Sequence, residues 1–507
     1  MTHNSPKSER SDIKQDDGVR ICCSQRRGNQ NVVMTIVLCT FYGLADNLWS
    51  GTVFAAYLLI LNNGSSSAVG YVEAANGLAG LFTALPVGYI ADKYGRSKVI
   101  KFGGVMLIIT VVLQVLLTNW VGIDEEALAN DSKKVDRSFL LFMGVMSLWG
   151  LAGGVVNGPV QALYADSTPR GTRSQYYVWL FTAYMLSSCA GPLVAIILFQ
   201  YLGDDWNLAD LRTVIFCGMG LELLAGATMF FFDDDKALEE GDDQTNDDDS
   251  RCDKSVDESI DEHFKNHNEN ASKDLIERRK RIPYILFTLS LLVSFGSGMT
   301  VKFFPLFFKD TVGLSPSAVQ TIYLIVPIAM VIFSTVNQKL AKKIGRVQTC
   351  IIVKILGLAG LYALIFFKDY LNSHPYVIVP VYVWRTGMMN STYPLEESIL
   401  MDFVPKNQRG RWKSLESVSQ FGWCGSAMLG GIFSDAHDGD YTFTFLITAL
   451  LQTAGSLGFF WLIPLIPKDE KDTGERGTTS LSSSMSEPLL RSEDSCGGDG
   501  EGLRRVV

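Results

Sequence analysis

Histidine is scarce in this sequence, and its five histidines all lie outside the long apolar runs. A relay of histidines therefore cannot carry protons along those runs. The nine cysteines show neither metal-ligand spacing nor a regular disulfide framework, so we expect no metal site and no cofactor. No nucleophile stands in a recognisable arrangement with a base, and we expect no enzymatic activity.

Positive charge is also in short supply. The net charge is −9, and acidic residues concentrate between 233 and 262 and after 468. Nucleic-acid-binding proteins carry a basic face, so this balance excludes nucleic acid as a partner. The acidic stretches and the N-terminal tail are polar and poor in aromatic residues, and we expect them to be disordered. The N-terminal tail also lacks the apolar core of a signal peptide.

Apolar residues make up 47% of the chain and gather in long blocks, such as 99–117, 213–232 and 347–367. Wound as helices, these blocks are long enough to cross the ~30 Å hydrocarbon core of a bilayer. The sequence therefore predicts an all-α membrane protein whose first partner is the lipid bilayer. We expect about twelve transmembrane helices, at residues 32–61, 69–91, 98–118, 138–165, 175–200, 211–232, 283–308, 318–341, 347–367, 376–402, 414–434 and 441–465.

Basic residues mark one side of the predicted membrane. The loops after the second, fourth, eighth and tenth spans are rich in lysine and arginine, whereas the alternate loops hold fewer. Under the positive-inside rule, the richer loops are cytoplasmic. Because the number of spans is even, both termini and the central loop are then cytoplasmic too. The expected location is the plasma membrane or a vacuolar or endosomal membrane.

A long polar segment near the middle of the chain divides the spans into six and six. Two related halves would then share motifs at matching points. The predicted organisation is a cytoplasmic tail at 1–31, a six-helix half at 32–232, an acidic linker at 233–282, a second six-helix half at 283–467 and a cytoplasmic tail at 468–507.

Two loops do recur at matching points of the halves. Glycine and arginine are adjacent after the second span, as Gly95-Arg96, and after the eighth, as Gly345-Arg346. An acid, a proline and an arginine recur at identical spacing after the fourth and tenth spans, as Asp166, Pro169 and Arg173 and as Asp402, Pro405 and Arg409. These paired loops indicate two structurally related halves.

The loop after the second span carries a longer pattern. It reads Gly88, three residues, Asp92-Lys93, one residue, and Gly95-Arg96. This spacing resembles the signature that major facilitator superfamily transporters carry between their second and third helices, and the resemblance extends over the layout of six and six spans. It implies the major facilitator fold, in which two six-helix halves are related by a pseudo-twofold axis along the membrane normal.

The resemblance also implies that this loop forms part of a cytoplasmic gate. Asp92 would face the N-terminus of the eleventh helix, and Arg96 would pair with Asp166. Gly88 would let the second helix approach a neighbour closely, and Gly95 would permit the tight turn.

The second half repeats this gate only in part. Arg346 would pair with Asp402, but Lys342 stands where the first half has its aspartate. The arginine–aspartate contact of each half is called its lock. The lock of the second half must therefore be weaker or built differently. The remaining gate candidates are Lys93, Arg173 and Arg409. The alternative for all these charges is that they only set the topology.

Ionisable residues within the spans are candidates for coupling, because charge at membrane depth costs several kcal/mol and is by default a sign of function. Asp46 lies midway along the first span, which lines the central cavity in this superfamily. We expect it to take up the coupled proton; the alternative is a fixed ion pair with a cation of the cavity. Glu222 in the sixth span and Glu396 in the tenth are further candidates.

The cations Lys302 and Arg385 are candidates for the solute site. If they face Asp46, they suit an anionic or zwitterionic solute, and they equally suit an empty site whose charges balance. The candidates for binding the solute are Asp46, Asn47, Trp49, Lys302, Arg385 and Asn390.

The predicted function is secondary active transport of a small organic solute by alternating access, coupled to protons and carried out by a monomer. The alternative is a transporter-like receptor or scaffold that signals through the central loop without net transport. The residues favour transport, because a static scaffold gains nothing from charge buried in the membrane.

A tag at either terminus, or within 233–281, should resist protease added outside intact cells, because all three segments are expected to be cytoplasmic. Immunoblotting of the tag measures this, and permeabilised cells, in which the tag should be cut, provide the control. Cleavage of the central segment in intact cells would contradict the orientation.

Overall fold

The computed structural model describes residues 29–123, 131–168, 173–238, 279–404 and 409–466. These residues form helices joined by short loops, and none of them adopts a β-strand. All of them belong to one unit that ends at Ile466. The predicted tail residues 1–28 and 467–507, and residues 239–278 of the predicted linker, lie outside the described residues.

Each predicted span of the first half coincides with a helix. The first span is broken into two helices around Ser50 and Gly51, and the sixth is extended by a 3₁₀ turn at Met229–Phe231. The helices are α1 Gln30–Trp49, α2 Thr52–Leu61, α3 Ser66–Tyr94, α4 Arg96–Val121, α5 Ser132–Asp166, α6 Arg173–Leu202 and α7 Leu208–Thr228.

The second half follows the same plan, and its first span is also broken, at Lys302 and Phe303. Its tenth span is broken at Ser391 and Thr392, and its last is extended by a 3₁₀ turn at Phe459–Leu462. The helices are α8 Ile282–Val301, α9 Phe304–Asp310, α10 Pro316–Ile344, α11 Arg346–Phe366, α12 Lys368–Asn372, α13 Pro375–Asn390, α14 Tyr393–Phe403, α15 Arg409–Asp435 and α16 Thr442–Gly458.

Nine helical stretches of the described residues are long and apolar enough to cross a membrane, and α3 makes a tenth if its two bent parts are taken together. The two other predicted spans correspond to the broken pair α13–α14 and to α15, whose first turns carry Arg409, Arg411 and Lys413. The predicted all-α membrane fold is confirmed, and each of the twelve predicted spans has a helical counterpart among the described residues.

The repeat is visible in the backbone. Gly95, between α3 and α4, and Gly345, between α10 and α11, both take φ of +100°. Side chains other than glycine rarely adopt this region, so glycine allows each helix to stop and the next to begin within one residue. We call the side of the molecule that carries these two turns the basic face, and the other side the opposite face.

The start of the predicted linker packs onto the first half. The carboxylate of Asp234 accepts hydrogen bonds from the backbone N–H and the hydroxyl of Ser97, at 2.9 and 2.8 Å, where α4 begins. The amide of Asn31 on α1 donates to the carbonyl of Asp233 at 2.8 Å. Residues 233–238 of the predicted linker therefore pack against the first half.

Close packing inside the first half depends on Gly150 of α5. A Cβ atom placed on it would lie 2.0 Å from the backbone oxygen of Asn76 in α3, a contact that neither backbone can relieve by moving a side chain. The missing side chain lets the two helices approach closely, as in many helix pairs in membranes.

Gly150→Ala should lower the free energy of unfolding by about 1–3 kcal/mol, because the added methyl group forces α3 and α5 apart. Gly144→Ala on the same helix is the matched control, since a Cβ there meets no atom within 4 Å. This control should be neutral or slightly stabilising, as alanine favours helix. Thermal unfolding in detergent compares the two, and equal stabilities would contradict the packing argument.

Candidate functional site

At the basic face, Arg96 lies between two acids of the first half. Its guanidinium donates to Asp166 at the end of α5 and, at 3.4 Å, to Asp92 one turn earlier in the chain. The carboxyl of Asp92 is 70% exposed. The structure therefore brings together the arginine and the acid that the family resemblance pairs, and it leaves most of the Asp92 carboxylate exposed.

The second half builds the equivalent contact with a hydroxyl group. Arg346 donates to Asp402 at 2.6 Å and to the hydroxyl of Ser398 at 2.8 Å. Ser398 lies one turn before Asp402 on α14 and supplies the second acceptor, which in the first half comes from Asp92. The second lock thus has one carboxylate where the first has two, because Lys342 replaces the aspartate.

The other gate candidates are placed less tightly. Gly88 is exposed, and a Cβ placed on it would meet no described atom within 4 Å, so the expected close approach is not made in this arrangement. Lys93 is exposed beside the ring of Tyr94. Arg173 and Arg409 begin α6 and α15, but their side chains lie outside the described part of the structure.

Within the membrane, an ion pair joins the two halves. The Nζ atom of Lys302, at the break between α8 and α9, lies 3.2 Å from a carboxylate oxygen of Glu73 on α3. The two side chains are only 17% and 12% exposed, so solvent screens the pair weakly. The pair persists only while α3 and the break in the first span of the second half stay in contact.

Asp46 lies beside this pair, near the end of α1. Its carboxylate accepts a hydrogen bond of 2.6 Å from the hydroxyl of Ser50, at the break between α1 and α2. It is partly exposed, and Ser50, which binds it, lines a small cavity together with Glu73 and Lys302. The three charged groups therefore form one cluster, which we call the interface cluster, with two carboxyls and one ammonium.

The side chains of Trp49 and Asn47 make their hydrogen bonds within the first half. The indole N–H of Trp49 donates to Glu222 at 3.3 Å, and its ring packs against Trp149. Both Trp49 and Glu222 are almost fully buried. The amide of Asn47 donates to the carbonyl of Gly43 on its own helix at 2.8 Å. In this arrangement Trp49 is thus a core residue, and Glu222 anchors it.

Arg385 is enclosed within the second half. Its guanidinium donates to Gln452 at 3.4 Å and lies 5.2 Å from the ring centroid of Phe304, a cation–π distance. Only 3% of Arg385 is exposed. Asn390 is exposed, and its amide donates to the carbonyl of Thr386 at 2.9 Å. Of the two candidate cations, Lys302 is the one that shares a cluster with Asp46.

Glu396 has a partner that sequence reasoning missed. The Nζ atom of Lys354 on α11 lies 2.9 Å from its carboxylate, and Lys354 is 3% exposed. Thr392, at the break between α13 and α14, also donates to Glu396 at 2.6 Å. A lone lysine in the apolar run of α11 was the available signal, since such a charge requires a buried partner.

Among the described residues, no cluster of three or more histidine, cysteine, aspartate or glutamate side chains is placed to hold a metal ion.

The paired halves and the repeated arginine–carboxylate locks define a membrane transport fold. The sequence model of the Major Facilitator Superfamily matches residues 36–415 and 286–493. The chain belongs to this superfamily. No curated protein sequence matches it significantly.

Solved structures show the same fold. A bacterial homologue of the iron transporter ferroportin in an inward-facing state is 14% identical, with a TM-score of 0.62, and the match covers 85% of this chain and 98% of that one. A D-xylose-proton symporter is 14% identical with a TM-score of 0.62, over 87% and 98% of the chains. A bacterial ferroportin homologue in an outward-facing state is 13% identical with a TM-score of 0.52, over 85% and 98%. These identities establish likeness of fold alone.

Lys302→Met should lower the free energy of unfolding by about 3 kcal/mol, because it leaves Glu73 without its cation inside the membrane. The double variant Glu73→Met with Lys302→Met should recover part of that loss. Lys368→Gln is the matched control: it breaks the exposed 2.9 Å pair with Asp440 and should cost less than about 1 kcal/mol.

Denaturation in detergent, followed by tryptophan fluorescence, measures the four proteins. A double variant as unstable as Lys302→Met would show that the lysine is not held through Glu73. A Lys302→Met variant as stable as the parent would show that the pair contributes little.

Proposed function

We propose that the protein is a secondary active transporter that moves a small organic solute by alternating access and carries a proton at Asp46. The observation that carries this proposal is the interface cluster of Asp46, Glu73 and Lys302. It places ionisable groups of both halves in contact within the membrane, where alternating access requires the halves to move.

The arrangement in the structure supports one end point of such a cycle. Cross-half hydrogen bonds of the described residues gather at the opposite face, where Trp206 donates to the carbonyl of Leu314 at 2.8 Å. The basic face is proposed to be cytoplasmic, because its loops are the lysine- and arginine-rich ones. The arrangement is then inward-facing, in keeping with the higher TM-score to the inward-facing ferroportin homologue.

The charges of the interface cluster give a reason for a proton. With both carboxyls ionised, one negative charge remains after Lys302 is counted, and an uncompensated charge at this depth is unfavourable. Lys302 lies directly against Glu73, so Asp46 is the group left to be neutralised. Part of the Asp46 side chain also remains exposed.

Movement of the halves would change this balance. Glu73 and Asp46 both belong to the first half, so separation of α3 from the break at Lys302 takes the ammonium away from both acids. Without that cation the neutral form of Asp46 is favoured further, so the proton affinity of Asp46 differs between the two arrangements of the halves. Proton binding and the position of the halves are coupled by this difference.

The contacts of Lys302 and Arg385 bear on the charge of the transported solute. Lys302 is paired with Glu73, and Arg385 is enclosed by Gln452 and Phe304. The proposal therefore specifies a small organic solute and does not require an anionic one. A thermal-shift screen of purified protein against metabolite pools would identify it, since a ligand at 100 times its Kd stabilises the folded state by about 2.7 kcal/mol.

Asp46→Asn, which mimics the protonated acid, should abolish accumulation of that solute driven by a pH gradient in proteoliposomes. Exchange of solute down its own gradient should remain, because the path stays open while the proton loses its differential binding. Asp205→Asn, an exposed aspartate outside the cluster, is the control and should accumulate solute normally.

Three results would contradict the proposal. Accumulation by Asp46→Asn against the solute gradient would move the coupling role to Glu222 or Glu396. Loss of both accumulation and exchange would make Asp46 a solute ligand or a structural partner of Lys302. Absence of flux in the parent protein would favour a receptor or scaffold.

A further inference from the structure

A second internal repeat lies at the opposite face. Residues 65–69 read Ser-Ser-Ser-Ala-Val, and residues 315–319 read Ser-Pro-Ser-Ala-Val. They begin α3 and α10, which are the second spans of their halves. The N-terminus of a helix presents backbone N–H groups without partners inside the helix and the positive end of the helix dipole.

The first of these helix starts is capped by an acid of the other half. Asp435, the last residue of α15, accepts hydrogen bonds from the backbone N–H groups of Ser66 and Ser67 at 2.8 and 2.9 Å. The hydroxyl of Ser65 donates to the same carboxylate at 2.9 Å, and the hydroxyl of Ser67 donates to it as well.

The second helix start is capped in the same way, with the halves exchanged. Asp204, which follows α6, accepts hydrogen bonds from the backbone N–H and the hydroxyl of Ser317 at 2.7 and 2.6 Å. Its backbone φ is +60°, a region that residues other than glycine rarely adopt.

The two contacts are equivalent under the pseudo-twofold relation. In each, an aspartate at the end of a fifth span caps the second span of the other half. Neither contact can form within one half, so neither contributes to the folding of a half by itself. Both contribute free energy only while the opposite face is closed.

We propose that Asp204 and Asp435 are gating residues that latch the opposite face shut and thereby set the balance between the two arrangements of the halves. This inference rests on the alternating access proposed above. Opening the opposite face separates α3 from α15 and α10 from α6, so every hydrogen bond of both latches is lost together. The charge–dipole attraction of each latch is lost with them.

The test measures the distance between spin labels on the two halves. Native cysteines, nine in the chain, are first replaced by serine or alanine. Labels at Lys133→Cys and Asp369→Cys, both exposed at the opposite face, report its opening. Labels at Asp235→Cys and Lys343→Cys, exposed at the basic face, report closure there. Pulsed electron resonance in lipid nanodiscs gives the populations of each distance.

Asp204→Asn and Asp435→Asn should each raise the ratio of opposite-face-open to opposite-face-closed molecules about threefold to tenfold, because asparagine keeps the shape but removes the charge. The latches do not contact each other, so the double variant should show about the product of the two effects. The labels at the basic face should shift to shorter distances in the same proportion. Asp438→Asn is the matched control, since Asp438 also has φ near +54° and is exposed, and it should leave the ratio unchanged.

A double variant with the distance distribution of the parent would overturn the inference, as would an Asp438→Asn variant that shifts as far. If an aspartate variant does not fold, Ser317→Ala and Ser67→Ala remove only hydroxyl bonds and should shift the ratio in the same direction by a smaller factor. The readout needs no solute. A latch shift in a protein that moves no solute would therefore contradict the proposed transport while supporting the latches.

Discussion

An ion pair between Glu73 of the first half and Lys302 of the second lies within the membrane, and the proposed mechanism depends on it. A charged group at that depth needs a partner, and here the partner belongs to the other half. Charge pairing and the position of the halves therefore cannot change independently. In the proposed mechanism Asp46, beside the pair, is the acid that takes up a proton, because Lys302 is engaged with Glu73.

Each type of contact at the two faces occurs twice, once at each of two positions related by the pseudo-twofold axis, and is made by different residues. At the basic face, Arg96 and Arg346 bind the acids that end α5 and α14, but a serine takes the place of one carboxylate in the second half. At the opposite face, Asp435 and Asp204 cap helix starts across the interface. The two faces thus differ, because the arginine pairs of the basic face lie within each half, whereas the latches of the opposite face join the halves.

The helices and the repeat were predictable from the sequence. The contacts between side chains of different helices were not. Long apolar runs and repeated loops predict the helices and the two halves, and the resemblance to the superfamily signature predicts the turn at Gly95 and the pairing of Arg96 with Asp166. Apolar runs do not reveal which side of a helix meets a neighbour, and consecutive residues point about 100° apart. Asp46 consequently lies in the interface cluster, whereas Asn47 bonds within its own helix and Trp49 is buried. Lys354 and the latches depend on partners far away in the chain.

Proton movement accompanying solute movement tests the coupling most directly. Parent protein is reconstituted into vesicles that contain a pH-sensitive dye, with equal pH on both sides and a solute gradient across the membrane. Coupling through Asp46 predicts that solute flow changes the pH inside, that a protonophore abolishes the change and that the reversed gradient inverts it. Solute flow of normal rate with no change of internal pH would contradict the coupling.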